Sequence, residues 1–89
     1  MERPITIGSV VYSRAGRDQG NFFMVYAIVD DSNVLIVDGD IRKLMRPKKK
    51  KIKHLKNTGE VLNGIAEKII MSATIYDAEI YSALRKYNS

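Results

Sequence analysis

The feature that most constrains the fold is a succession of short apolar runs separated by turn chemistry. Three runs rich in β-branched and aromatic residues, Ile7–Ser13, Phe22–Val29 and Asn33–Val37, follow one another within the first half of the chain. Such residues suit a pleated, half-buried surface, and runs of this length bounded by Gly, Asp, Asn and Ser read as strands. Between the second and third, "DDSN" reads as a hairpin turn, because Asp, Asn and Ser hydrogen-bond to neighbouring backbone and tolerate tight geometry. After the third, Asp38-Gly39-Asp40 carries the Asp-Gly signal of a two-residue hairpin, whose central positions need positive φ. A fourth strand is expected around Arg42–Arg46, with Ile41, Leu44 and Met45 giving apolar contacts and Pro47 ending it or marking an edge. The segment "KKIKHL" supplies a fifth, with Ile52 and His54 on one face.

Five short strands joined by tight turns predict a small, strongly bent barrel rather than a flat sheet. Closure also removes the open apolar edges that would otherwise pair with other chains. From Thr58 the period changes. "TGEVLNGIAEKIIMSA" sets Val61/Leu62, Ile65 and Ile69 at helical spacing, although Gly64 costs roughly 1 kcal/mol of helix propensity. "TIYDAEIYSALRKYNS" gives a clearer helix, with Tyr76, Ile80, Leu84 and Tyr87 on one stripe. Asp77 and Glu79 near its start and Arg85 and Lys86 near its end suit the helix dipole, and Thr74 or Asp77 is expected as N-cap. The expectation is one mainly-β domain: residues 1–58 form the barrel, and residues 59–89 form a helical extension that packs on it and closes one end.

Eighty-nine residues bound the chain to one small domain with a modest core. There is no cysteine, so neither disulfides nor thiolate metal sites can staple it. The start, "MERPITIGSVV", has no apolar stretch of signal-peptide length, and no run of about 18 apolar residues is present to span a membrane. A soluble, cytoplasmic protein is expected.

Charge is segregated. Nine of the fifteen Lys and Arg lie between Arg42 and Lys56 with no acid among them, and the remaining six face all ten acids. A positive field concentrated in one segment is the footprint of a polyanion partner. Catalytic readings find no support. No Walker spacing is present, and Asp30, Asp31, Asp38 and Asp40 lack the calcium-loop pattern and read as turn acids. His54 is the single histidine and cannot build a metal site alone. No cofactor is implied.

The segment "IGSVVYSRAGRDQGNFFMVYAIVDD" resembles a KOW motif, in which a strand ends in a loop, a glycine (here Gly20) turns the chain back, and an apolar strand leads to a hairpin. "AGRDQG", then "IVDD…VLIVDG", then "IKHLKNT" is similar to the KOW-containing large-subunit ribosomal proteins of archaea and eukaryotes (the fourteen-e, six-e and twenty-seven-e group) and their small bacterial relatives. In these, "AGRxxG" precedes the strand, "V(L/I)VDG" forms the hairpin, and a basic stretch ends in "KHLxPT". This chain departs at Lys56-Asn57-Thr58, where the pattern has x-Pro-Thr. The likeness covers roughly residues 7–58, and "YDAEIYSAL" resembles the "xxxEIxxAL" helix of some members. It implies an SH3-like barrel and RNA binding, above all to ribosomal RNA, with ribosomal proteins as further partners.

Each candidate residue has a plain alternative. Gly16 and Gly20 shape the loop, because glycine supplies positive φ without steric cost; a glycine-rich loop can also bring backbone N–H groups to phosphate. Arg14 and Arg17 are either solvated charges or phosphate contacts, and the resemblance favours Arg17, whose planar fork meets phosphate and stacks on bases. The run Arg42, Lys43, Arg46, Lys48, Lys49, Lys50, Lys51, Lys53 and Lys56 could protect a strand edge. Nine cations exceed that need, and phosphate contact with counterion release is the favoured reading. His54 is a barrel-edge ring or an RNA stacker. Phe22, Phe23 and Tyr26 read as packing; Tyr12 stands apart, beside the arginine loop. Tyr76, Tyr81 and Tyr87 are expected to pack the last helix. The first competing function is a protein-interaction adaptor of the translation or transcription machinery; the second is charge-driven attachment to any acidic surface.

Overall fold

The computed structural model describes residues 4–88, so Met1, Glu2, Arg3 and Ser89, including the first residues of the N-terminal stretch read above, lie outside it. Its elements are β1 (Ser9–Ser13), β2 (Phe22–Ile28), β3 (Asn33–Val37), β4 (Lys48–Lys51), β5 (Leu55–Val61), α1 (Asn63–Ile70) and α2 (Asp77–Asn88), with a 3-10 turn, Ile52–His54, between β4 and β5. The strands make one antiparallel sheet in the order β4-β3-β2-β1-β5.

The sheet is open. β4 and β5 are its two edges and are not hydrogen-bonded to each other, so the expected closure into a complete barrel is not made. It is nonetheless bent. In a flat sheet the outer strands of five would stand about 19 Å apart. The four residue steps from Lys51 to Leu55 span at most about 14 Å when extended, and less when they form a 3-10 turn. The link therefore requires the sheet to curl, and the register shifts in β1–β5 and β2–β3 are the irregularities that bend strands.

Curling gives the sheet two buried faces. Val11, Phe23, Val25, Val34, Ile36 and Leu55 fill the inside of the bend, joined by Ile5 and Ile52. Their neighbours in sequence, Val10, Met24 and Val37, point the other way and pack with Ile65 of α1 and Ile80 and Leu84 of α2. Period-two alternation and burial on both faces explain why these strands read as nearly continuous apolar runs. The two helices pack on this second face, outside the bend, as a cover for the sheet rather than a plug closing one end of a barrel. Lys68 of α1 donates to Glu79 of α2 at 2.7 Å.

The "DDSN" turn forms as read: Asp30 Oδ1 accepts the Ser32 and Asn33 N–H groups, each at 2.8 Å. Other expectations are corrected. Arg42–Arg46 is not a strand. Asp38 Oδ1 accepts the Asp40 and Arg42 N–H groups, and Asp77 Oδ1 takes the Leu44 N–H at 2.8 Å. These side chains meet the donors a strand ladder would have used. Asp-Gly thus opens a long connection rather than a two-residue hairpin, and the next strand is Lys48–Lys51, opposite Ile36–Asn33; the "KKIKHL" stretch expected as the fifth strand instead ends β4 and makes the 3-10 turn, and β5 begins only at Leu55. Gly39 has φ +78, and a Cβ there would stand 2.2 Å from the Asp77 carbonyl oxygen, so α2 seats directly on this turn.

Residues 58–61 are strand rather than helix, because β5 stays paired to β1 as far as Ser9–Val61. The division at residue 58 therefore falls inside β5. Neither Thr74 nor Asp77 caps α2. Glu79 Oε2 accepts the Tyr76 N–H instead, at 3.0 Å, the reciprocal half of a capping box. The Lys68 ammonium, then the Tyr76 N–H, hold the Glu79 carboxyl below its ordinary value. Tyr76 and Tyr81 are exposed rather than packed.

Candidate nucleic-acid interface

The Arg14–Gly20 loop leaves the end of β1 and returns into β2. Its root is tied by backbone bonds: Gly20 N–H to the Ser13 carbonyl, and Arg14 N–H to the His54 carbonyl at 2.8 Å. Gly16 (φ +78) and Gly20 (φ +94) are both in the left-handed region, where an L side chain is strained. Glycine at these positions is thus favoured by backbone geometry.

The tip is pinned by Asp18, which is 4 % exposed. Its carboxylate receives Arg42 Nε on Oδ1 at 3.2 Å and Arg42 Nη2 on Oδ2 at 3.1 Å. The Lys50 ammonium stands 3.9 Å from Oδ2 and donates to the Ala15 carbonyl at 2.9 Å. A planar guanidinium matched to a carboxylate by two bonds is the most directional of charge pairs. One loop acid therefore joins the arginine loop to both the β3–β4 connection and β4. Asp18 was missed in the sequence; the available signal was that it is the one acid between Glu2 and Asp30.

This arrangement divides the candidate cations. Lys50 is buried and Arg42 half-buried, and both are committed to the lock. Arg14, Arg17, Lys43, Arg46, Lys48, Lys49, Lys51, Lys53 and Lys56 are exposed, and among the described residues none of them pairs with an acid. Lys48, Lys49 and Lys51 stand on the sheet edge formed by β4. Arg14, Lys53 and Lys56 come together along a groove of about 630 Å³ at the corner where β1, the 3-10 turn and β5 meet. Asp30 and Asp31 lie on that groove as well, and the Ser32 N–H, followed by the Asn33 side chain, holds the Asp30 carboxyl below its ordinary value. Asp31 also shares a pocket with Lys51 and Lys53, and Lys49 acts on the Asp30 carboxylate, so these two turn acids border the β4 edge as well as the groove. His54 is half-buried in the 3-10 turn, where its carbonyl anchors Arg14.

Beside this corner three aromatic rings form a row. Tyr12 and Phe22 have centroids 5.0 Å apart, and Phe22 and Tyr87 5.5 Å. Phe22 lies beyond Met24, where the β2–β3 pairing ends. The Asn88 side-chain amide takes the place of a strand there, accepting the Phe22 N–H at 2.8 Å and donating to its carbonyl at 3.1 Å. The Tyr87 hydroxyl donates to Glu60; partial burial, then this bond, pushes its pKa up to about 12.

Among the described residues no group of His, Cys, Asp and Glu is placed to hold a metal ion, and no helix is long and apolar enough to cross a membrane. No family model matches the chain, and no curated protein matches it.

Proposed function

We propose that the protein binds RNA, with ribosomal RNA the favoured class, through a composite surface made of the Arg14–Gly20 loop and the exposed part of the Arg42–Lys56 segment. The observation that carries this reading is the Asp18 lock. It spends one acid and two cations to fix the loop against the basic segment, and leaves nine exposed cations that make no salt bridge among the described residues. Surface lysines that only guard an edge need no such fixed relation to an arginine loop. Phosphate contacts set position and affinity, so recognition of RNA shape is expected, with Arg17 adding selectivity.

In this reading the curled sheet is an SH3-like fold of the KOW type. Its support is the "AGRDQG" loop between β1 and β2, the 3-10 turn linking the two edge strands, and the likeness of residues 7–58 to ribosomal KOW proteins. The protein acts in the cytoplasm by binding, without catalysing a reaction or using a cofactor.

Anisotropy titrations of a structured ribosomal RNA fragment across a salt series test the proposal. Affinity is expected to fall steeply, with a log–log slope of about −4 or more negative if five or more phosphates are neutralised. Arg17→Ala is expected to weaken structured RNA binding more than Lys68→Ala does. Indifference to Arg17 would leave only charge-driven adhesion.

A second reading, as a protein adaptor, draws on exposed Ile28, Val29, Ile70 and Met71 and on a groove lined in part by Ile5, Ile28, Ala66 and Ile70. It predicts weak salt dependence.

A further inference from the structure

We propose that the groove beside Tyr12 receives an unpaired nucleobase of a bound RNA strand, with Tyr12 as the stacking platform and Lys56 on the adjoining phosphate. This rests on the RNA-binding reading and deepens it from phosphate contact to a base-holding site.

Tyr12 and Lys56 are directly opposite in the β1–β5 ladder, so they stand side by side on one face of the sheet. With Phe22, Asn57 and Thr58 they line a groove of about 440 Å³ that has no acidic residue in its wall. The platform is built rigidly. Phe22 is clamped at its backbone by Asn88, Tyr87 behind it is tied to Glu60, and Tyr12 rests on Phe22 at the open end of the row. Among the described residues the Tyr12 hydroxyl makes no hydrogen bond, unlike that of Tyr87.

Lys56 lines both this groove and the larger one, which carries Arg14 and Lys53 against Asp30 and Asp31, three cations to two acids. A strand whose phosphates follow Arg14, Lys53 and Lys56 can therefore turn one base onto Tyr12. Aromatic rings accept unpaired bases in this way whatever the sequence, since every base has a π-face. The Thr58 hydroxyl donates to the Val10 carbonyl at 2.7 Å and accepts the Glu60 N–H at 3.1 Å. The Thr58 hydroxyl has thereby used its one donor and cannot donate to a base edge.

The test compares a labelled oligouridine of about ten nucleotides with an abasic oligonucleotide of the same length and charge. Each is titrated with the full chain carrying Tyr12, Tyr12→Phe or Tyr12→Leu. The wild type is expected to prefer the base-bearing strand by about tenfold, the Phe variant to keep that preference, and the Leu variant to lose it without a change in salt slope. Equal affinity of the wild type for both strands would overturn the base site while leaving phosphate binding intact. Failure to bind either strand at low salt would overturn both. Photo-crosslinking of the wild type to thiouridine-bearing strands gives a readout that needs no folded variant. A crosslink in the peptide holding Tyr12 supports the proposal, and crosslinks confined to other segments contradict it.

Discussion

Asp18 grips Arg42 with both carboxylate oxygens, at 3.2 and 3.1 Å, while the Lys50 ammonium stands 3.9 Å from the same group. The pairing joins residues far apart in sequence and sets where the arginine loop lies relative to the lysine strand. Removing one partner of a buried charge cluster is far costlier than the cluster's net worth, because a desolvated charge is left uncompensated. Arg42 keeps a quarter of its side-chain exposure, which lessens the cost. Asp18→Asn is expected to lose about 2–4 kcal/mol, a fall in melting temperature of roughly 10–30 °C for a chain of this size. Thermal unfolding followed by circular dichroism checks this; a shift of under about 2 °C would mean that the cluster is not structural.

The lysines of β4 are predicted to separate into two kinds. Replacing Lys48, Lys49 and Lys51 together by Gln should reduce the salt slope of RNA binding by about 2–3 with little effect on stability. Lys50→Gln should do the reverse, lowering the melting temperature and leaving the slope near wild type, because its ammonium faces Asp18 and the Ala15 carbonyl. Equal slope changes from Lys49→Gln and Lys50→Gln would contradict this division.

Two glycines should differ for a steric reason. Both have positive φ, but a Cβ at Gly20 meets nothing within 4 Å, whereas at Gly39 it meets the Asp77 carbonyl oxygen at 2.2 Å and the Tyr81 nitrogen at 2.8 Å. Gly20→Ala is expected to cost about 1 kcal/mol of backbone strain. Gly39→Ala should cost about 3 kcal/mol or more, since α2 must move off the turn. Chemical denaturation of the two variants decides this, and equal midpoints would contradict the close approach of α2.

Tyr87 supplies a pH prediction. Its folded pKa, raised to about 12 by partial burial and by Glu60, lies above that of an unfolded tyrosine. The folded state therefore holds this proton more tightly. The associated stability is fully present below the unfolded tyrosine pKa of about 10 and is lost as pH rises toward 12. Ultraviolet titration should show one tyrosine ionising later than the rest, and Glu60→Gln should bring it earlier. A single shared transition in the wild type would count against the contact.

Legibility in the sequence followed how local the cause was. Asn33–Val37 and the "DDSN" turn were readable because residue type and turn chemistry agree there. The stripe Ile80, Leu84 and Tyr87 was readable because its period is the helix's own. β4 was not. Four consecutive lysines have poor strand propensity, and they extend only because β3 offers them a ladder. Arg42–Arg46 was misread because Ile41, Leu44 and Met45 resemble strand spacing, while the donors of Arg42 and Leu44 are met by Asp38 and by Asp77, which is distant in sequence. The positive loop was visible from its arginines. The acid that fixes it was not, since a lone aspartate in a loop reads as solvated until its partners are seen across the fold.

The central claim is that this composite surface holds a ribosomal RNA, and co-sedimentation of the native protein with ribosomal subunits at low and at moderate salt tests it most directly. Retention on the large subunit or its precursor at moderate salt is expected, weakened by Arg17→Ala and by neutralising Lys48, Lys49 and Lys51. Absence from every ribosomal fraction even at low salt would contradict it and shift the weight to the adaptor reading.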